Sequence, residues 1–129
     1  MNANNFGKKF TWGVAASAYQ TEGAYLEDGK SLSIWDVFSS LPGKIKGGQK
    51  ATTACDFYNH YMQDIILMHY LNIKNFRFSI SWPRVLPEGI GAANERVWIF
   101  MIVLLIFVWR WVSIPGLLYT IGICHRHSN

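Results

Sequence analysis

Two short runs of alternating apolar residues, Phe10-Trp12-Val14 and Phe76-Phe78-Ile80-Trp82, stand either side of one helical pattern. That succession restricts the chain more than any other feature. The helical pattern repeats Phe57, Tyr61, Ile65 and Met68 along one face, widened by Tyr58, Ile66 and Leu71. Thr52 or Thr53 reads as its N-cap, Asp56 falls in its first turn against the helix dipole, and Asn72 closes it. Two strands joined through a helix of this length pair in parallel, as one βαβ unit. The second strand has two unlike faces: the apolar set points one way, and Arg77, Ser79 and Ser81 point the other. An arginine turned inwards from a strand needs a carboxylate or a bound anion, because an unpaired buried guanidinium is costly.

The first strand runs into the small residues Ala15-Ala16-Ser17-Ala18 and then a polar cluster of Tyr19, Gln20 and Glu22. An amide and a carboxylate just past a closely packed strand point to a site at its carboxyl end, where (β/α)8 barrels keep their active sites. Residues Phe10, Trp12, Gly13, Ala15, Ser17-Ala18, Tyr19, Gln20, Glu22 and Ala24 closely resemble the N-terminal signature of the family 1 glycoside hydrolases, the β-glucosidase family. The resemblance continues through DGKSLSIWDVFS, whose Ile34, Val37 and Phe38 share the face of a short helix capped by Ser31 or Ser33, and through RFSISWPRVLPEG. It implies an α/β fold, the opening βαβ portion of a (β/α)8 TIM barrel. It further implies retaining hydrolysis of β-linked glucosides or related sugars, without metal, nucleotide or other cofactor. Gln20 matches the family's sugar-binding glutamine at the subsite for the non-reducing sugar; a carboxamide donates and accepts at once, which suits neighbouring hydroxyls. Arg77 matches the arginine that supports the catalytic nucleophile.

The chain has 129 residues, against about 250 for a whole barrel, so the barrel is expected to be incomplete. Retaining glycosidases place two carboxyl groups about 5 Å apart. In this family they lie in Asn-Glu-Pro and Glu-Asn-Gly motifs, and neither tripeptide occurs here. None of Glu22, Glu27, Glu88 or Glu95 matches a catalytic position, so no catalytic residue is assigned, and Glu22 is read as structural. A net charge of +4 from scattered lysines, with no basic stripe among aromatics, argues against nucleic acid. His60 and His69 on the helix, and Cys124, His125 and His127 near the end, match no common metal spacing. Cys55 and Cys124 are far apart and the start MNANNFGKKF has no apolar core, which points to a reducing cytoplasm.

After Arg96 the chain carries no Asp or Glu. The break divides it into residues 6–95, the family-like part, and an apolar tail, 96–129. As a membrane segment through 97–123, the tail offers thirteen uncharged residues from Val97 to Trp109, about 20 Å of helix against a hydrocarbon layer of about 30 Å. Arg110 and Pro115-Gly116 then interrupt it. On that reading the chain is a membrane-tethered, non-catalytic sugar-binding fragment. A different reading comes from the genetic code. Taking the third base of each codon with the first two of the next, Trp98-Ile99 forces aspartate, Met101-Ile102 forces aspartate again, and Trp111-Val112 forces glycine. The remaining codons permit a continuous string that resembles the third helix and strand of family 1 hydrolases, ending in Tyr-His-Trp-Asp-Leu-Pro. The tail is therefore expected to be an out-of-frame translation.

Overall fold

The computed structural model describes residues 6–7 and 10–112. Strand β1 (Val14–Ala16) leads into a single helical turn, α1 (Ala18–Thr21). Helix α2 (Ile34–Ser40) and the long α3 (Phe57–Tyr70) follow, then strand β2 (Phe76–Phe78), the short α4 (Trp82–Val85) and α5 (Glu95–Val112). The strands pair in parallel, Val14 with Phe76, Ala15 with Arg77 and Ala16 with Phe78, so the βαβ expectation holds. Gly13 sets the start of that register. Its backbone lies so close to β2 that a Cβ would sit 2.6 Å from the Asn75 carbonyl oxygen, while Asn75 Nδ2 donates to the Trp12 carbonyl at 2.7 Å.

The faces divide as the alternation predicts. Phe76 and Phe78 are buried, and Arg77 between them is exposed on the opposite face beside Ala15. The buried pair joins Phe57 and Ile65 of α3 and Val97, Met101, Leu104 and Val112 of α5 in one apolar core. Tyr61 and Met68 complete the α3 stripe at its margin. Asn72 ends that helix as expected. It turns left-handed at φ 56, and the Ile73 N–H reaches back to the Met68 carbonyl at 2.9 Å while the Asn72 N–H reaches the His69 carbonyl, also at 2.9 Å, a helix-ending bond pattern that satisfies carbonyls of the last turn.

Three expectations need correction. Phe10 and Trp12 lie outside β1, whose pairing with β2 begins at Val14. They instead cluster with Phe6, ring centroids 4.8 to 5.0 Å apart, and all three are exposed. Asp56 is the residue before α3 and not part of its first turn, with a left-handed φ of 54 and no side-chain cap bond. Residue Trp82 leaves the strand alternation to start α4, where Pro83 fits the first turn because its missing N–H has no helical partner there. Ser33 caps α2 as expected, in a capping box with Asp36, while Ile34 and Phe38 remain 46% and 39% exposed. As for the tail, α5 runs to Val112, the last described residue, and among the described residues no helix is long and apolar enough to cross a membrane. Residues 113–123 of the candidate span, and Cys124, His125 and His127, lie outside the described residues.

Candidate functional site

Both strands point their carboxyl ends at the same edge of the molecule, so the loops that follow them meet. The Ala18 N–H, at the start of α1, donates to Ser79 Oγ just beyond β2 at 2.7 Å. Tyr19 Oη donates to the Trp35 carbonyl at 3.3 Å, which ties α1 to α2. Gln20 sits between these anchors on α1. Its backbone N–H is bonded to the Ser17 carbonyl at 2.9 Å, and its side chain is exposed, with no internal hydrogen bond found among the described residues. The neighbouring cavity, lined by Tyr19, Glu22, Lys30, Asp36 and Ser81, measures about 10 Å³, room for about one water and no sugar.

Beneath this surface lies an ion pair that sequence reasoning only half found. Arg84 of α4 is 1% exposed and donates from Nε to Glu22 Oε2 at 3.0 Å. Its Nη2 reaches the Gly23 and Ala24 carbonyls at 3.2 Å each, and Nη1 reaches the Glu27 carbonyl at 3.4 Å. The guanidinium also lies 3.9 Å above the centre of the Tyr58 ring. A cation can sit at that depth because its donors are nearly all used and its charge is matched. Gly23 has to be glycine for the loop to pass: its φ is +65 and a Cβ would lie 2.0 Å from the Thr53 carbonyl oxygen. Burial pushes the Glu22 carboxyl above the ordinary carboxylate range, and the charges of Arg84 and Lys30 pull it part of the way back. Glu22 is thus structural, as expected, while Arg84 went unnoticed. A signal was present: Glu22 is the lone charged residue between Phe10 and Leu26, and a buried carboxylate demands a cation from elsewhere.

A second ion pair fastens the rim. Lys30 Nζ stands 3.1 Å from Asp36 Oδ2, both nearly buried, and the same carboxylate accepts from the Ser33 N–H and hydroxyl at 2.8 and 2.7 Å. Tyr58 Oη donates to Asp28 Oδ2 at 2.9 Å. On α3, His60 lies against Gln63 and Asp56, and His69 Nδ1 meets the Trp111 carbonyl at 2.8 Å, so both histidines have surface or packing roles. Gln20 and Arg77 are both exposed but belong to different elements, Gln20 to α1 beyond the carboxyl end of β1 and Arg77 to the exposed face of β2.

Parallel strands, a crossover helix, and polar groups gathered at the strands' carboxyl ends define the opening portion of a (β/α)8 barrel of the enzyme type. The sequence model of Glycosyl hydrolase family 1 matches residues 2–101. Beta-glucosidase A of Acetivibrio thermocellus is 53% identical over 96 residues, covering 74% of this chain and 21% of that protein. An aryl-phospho-beta-D-glucosidase of Bacillus subtilis is 50% identical over 91 residues, 70% of this chain and 19% of its own. The solved family 1 β-glucosidase of Thermotoga maritima superposes with a TM-score of 0.78 at 39% identity, over 89% of this chain and 25% of that one. The chain belongs to glycosyl hydrolase family 1, and it spans about a fifth to a quarter of the length of these relatives.

Proposed function

We propose that residues 6–95 are the first part of a retaining β-glycosidase barrel in which Gln20 hydrogen-bonds the non-reducing sugar and Arg77 orients the nucleophile. The substrate class is a β-linked glucoside or related sugar. The observation that carries this reading is the Gln20 carboxamide, held on anchored backbone beyond the carboxyl end of β1 and left unbonded, hence available to a ligand. The Thermotoga maritima relative has been solved with glucoimidazole, a finding that favours a sugar-shaped occupant. A cytoplasmic setting fits Cys55, an exposed free thiol. Double displacement needs an acid/base and a nucleophilic carboxylate. These 129 residues hold neither family motif, so by themselves they turn over no glycoside.

The experiment is a chimera in which residues 6–95 replace the matching part of the Acetivibrio thermocellus β-glucosidase A. It should hydrolyse aryl β-glucosides, with the free 129-residue chain as the inactive comparison. Gln20→Ala in the chimera removes hydrogen bonds to the sugar and should lower kcat/KM about 10- to 100-fold. An unchanged kcat/KM in a folded Gln20→Ala chimera, or steady turnover by the free chain, overturns the reading.

A further inference from the structure

Helix α5 packs one face on α3 and presents the other to water, and the two faces are written differently in the genetic code. Inward, Val97, Met101 and Leu104 are buried, and Phe100 and Phe107 pack against Tyr61 at ring distances of 5.2 and 6.1 Å. Outward, Ile99, Ile102 and Ile106 are 64%, 54% and 54% exposed. Three large aliphatic side chains in water on one helical stripe have no stabilising role in this fold.

We propose that α5 is an amphipathic helix of the family barrel read one base out of step, and that its apolar outer stripe is a product of that shift and not a docking surface. The proposal rests on the family membership established above. In the shifted register the first base of each codon becomes the middle base, and the middle base decides polarity. Isoleucine codons begin with A, so they yield polar or tyrosine codons; phenylalanine codons begin with T, so they yield apolar ones. Aspartate is forced at positions 99 and 102, and position 106 is confined to Asp, Asn, His or Tyr. Positions 100 and 107 are confined to Phe, Leu or Ile. The code thus turns the exposed stripe polar and keeps the α3-facing pair apolar, in phase with the helix the structure shows. The inward exceptions are Met101, which becomes Tyr or His, Val97, confined to Gly, Ser, Arg or Cys, and Val112, which becomes Gly. Positions 98 and 109 become Leu, Met or Val and stay apolar beside the acidic stripe. Sequence likeness to the Acetivibrio thermocellus relative covers 74% of the chain, whereas structural likeness to the Thermotoga maritima one covers 89%. A structural match that covers more of the chain than the sequence match is in keeping with a shifted frame.

The test inserts one adenine after the Glu95 codon in the natural coding DNA and expresses the product to the stop of the restored frame. The expected result is an open frame through position 129, a polar residue at 106, and a soluble fraction at least about tenfold above that of the unrestored chain. A stop codon before position 129, or an equally insoluble product despite the restored frame, overturns the proposal. Two variants of the unrestored chain give an independent reading: Ile99→Asp with Ile102→Asp should raise the soluble fraction, and Phe100→Asp with Phe107→Asp should lower it. Equal effects of the two pairs would place no face of α5 against α3 and would also overturn it. Failure here leaves residues 6–95 and the Gln20 chimera untouched, so the two readings fall separately.

Discussion

The carboxyl-end loops and the outer face of α5 sit on the same small framework and treat water in opposite ways. In the loops, even a fully buried guanidinium has a carboxylate, three carbonyls and an aromatic ring arranged around it. On α5, Trp98, Ile99, Ile102, Ile106 and Trp109 are all more than half exposed among the described residues. The loops join residues 60 or more apart in sequence, such as Glu22 with Arg84, and every member of that network is needed by another. Helix α5 is held to the rest mainly through its inward side chains, with the His69–Trp111 bond and an exposed Arg96–Asp28 ion pair at 3.3 Å beside them. A sequence shaped by its fold is consistent on both sides of each element; the loops meet that condition and the outer half of α5 does not.

The largest expected effect separates the two regions outright. The described residues of the chain hold two strands with open edges and a broad apolar surface, too little buried area to offset ordering the chain. It should aggregate and show no sharp cooperative thermal transition. A dispersed amide spectrum and a cooperative melt from the monomer at micromolar concentration would mean that the outer face of α5 is tolerated after all, and would erase the contrast.

Next in size is the buried pair. In the folded chimera described above, Arg84→Met leaves Glu22 buried without its ion-pair partner and should cost about 3–5 kcal/mol in thermal or urea unfolding. Adding Glu22→Gln to that variant should recover part of the loss, because the stranded charge goes with it. A cost under about 1 kcal/mol would place the loops with the exposed ion pairs that contribute little.

Legibility followed the same division. The α3 stripe, the two faces of β2 and the stop at Asn72 were all readable, because each depends on local periodicity or turn chemistry. Gln20 and Arg77 were legible as candidates through the family pattern around them. Arg84 was not, since its destination is decided only when α4 folds back over α1. Phe10 and Trp12 alternate like a strand, but a strand also needs a neighbour's backbone, and the parallel register begins at Val14. Asp56 could serve as cap or first turn by composition; its left-handed backbone, shared with Ala54, settled the matter.

The smallest effect is a titration. Burial, with the hydrogen bond to Asp28 as the next cause, pushes the Tyr58 hydroxyl up to about 12 from an ordinary value of 10.0. The protonated phenol is therefore favoured in the folded state, and its contribution is fully present below pH 10. As pH rises from there through about 12 the unfolded chain releases its proton first, so stability falls across that window. In the chimera, the unfolding midpoint should decline from pH 10 upwards, and Tyr58→Phe should flatten part of that decline while costing some stability at neutral pH through the lost bond to Asp28. Tyrosinate absorbance of the folded protein should rise late, with Tyr58 and Tyr61 lagging the exposed tyrosines. If Tyr58 ionises with the rest, the ring is open to water, and the carboxyl-end loops are less tightly closed than their distances imply.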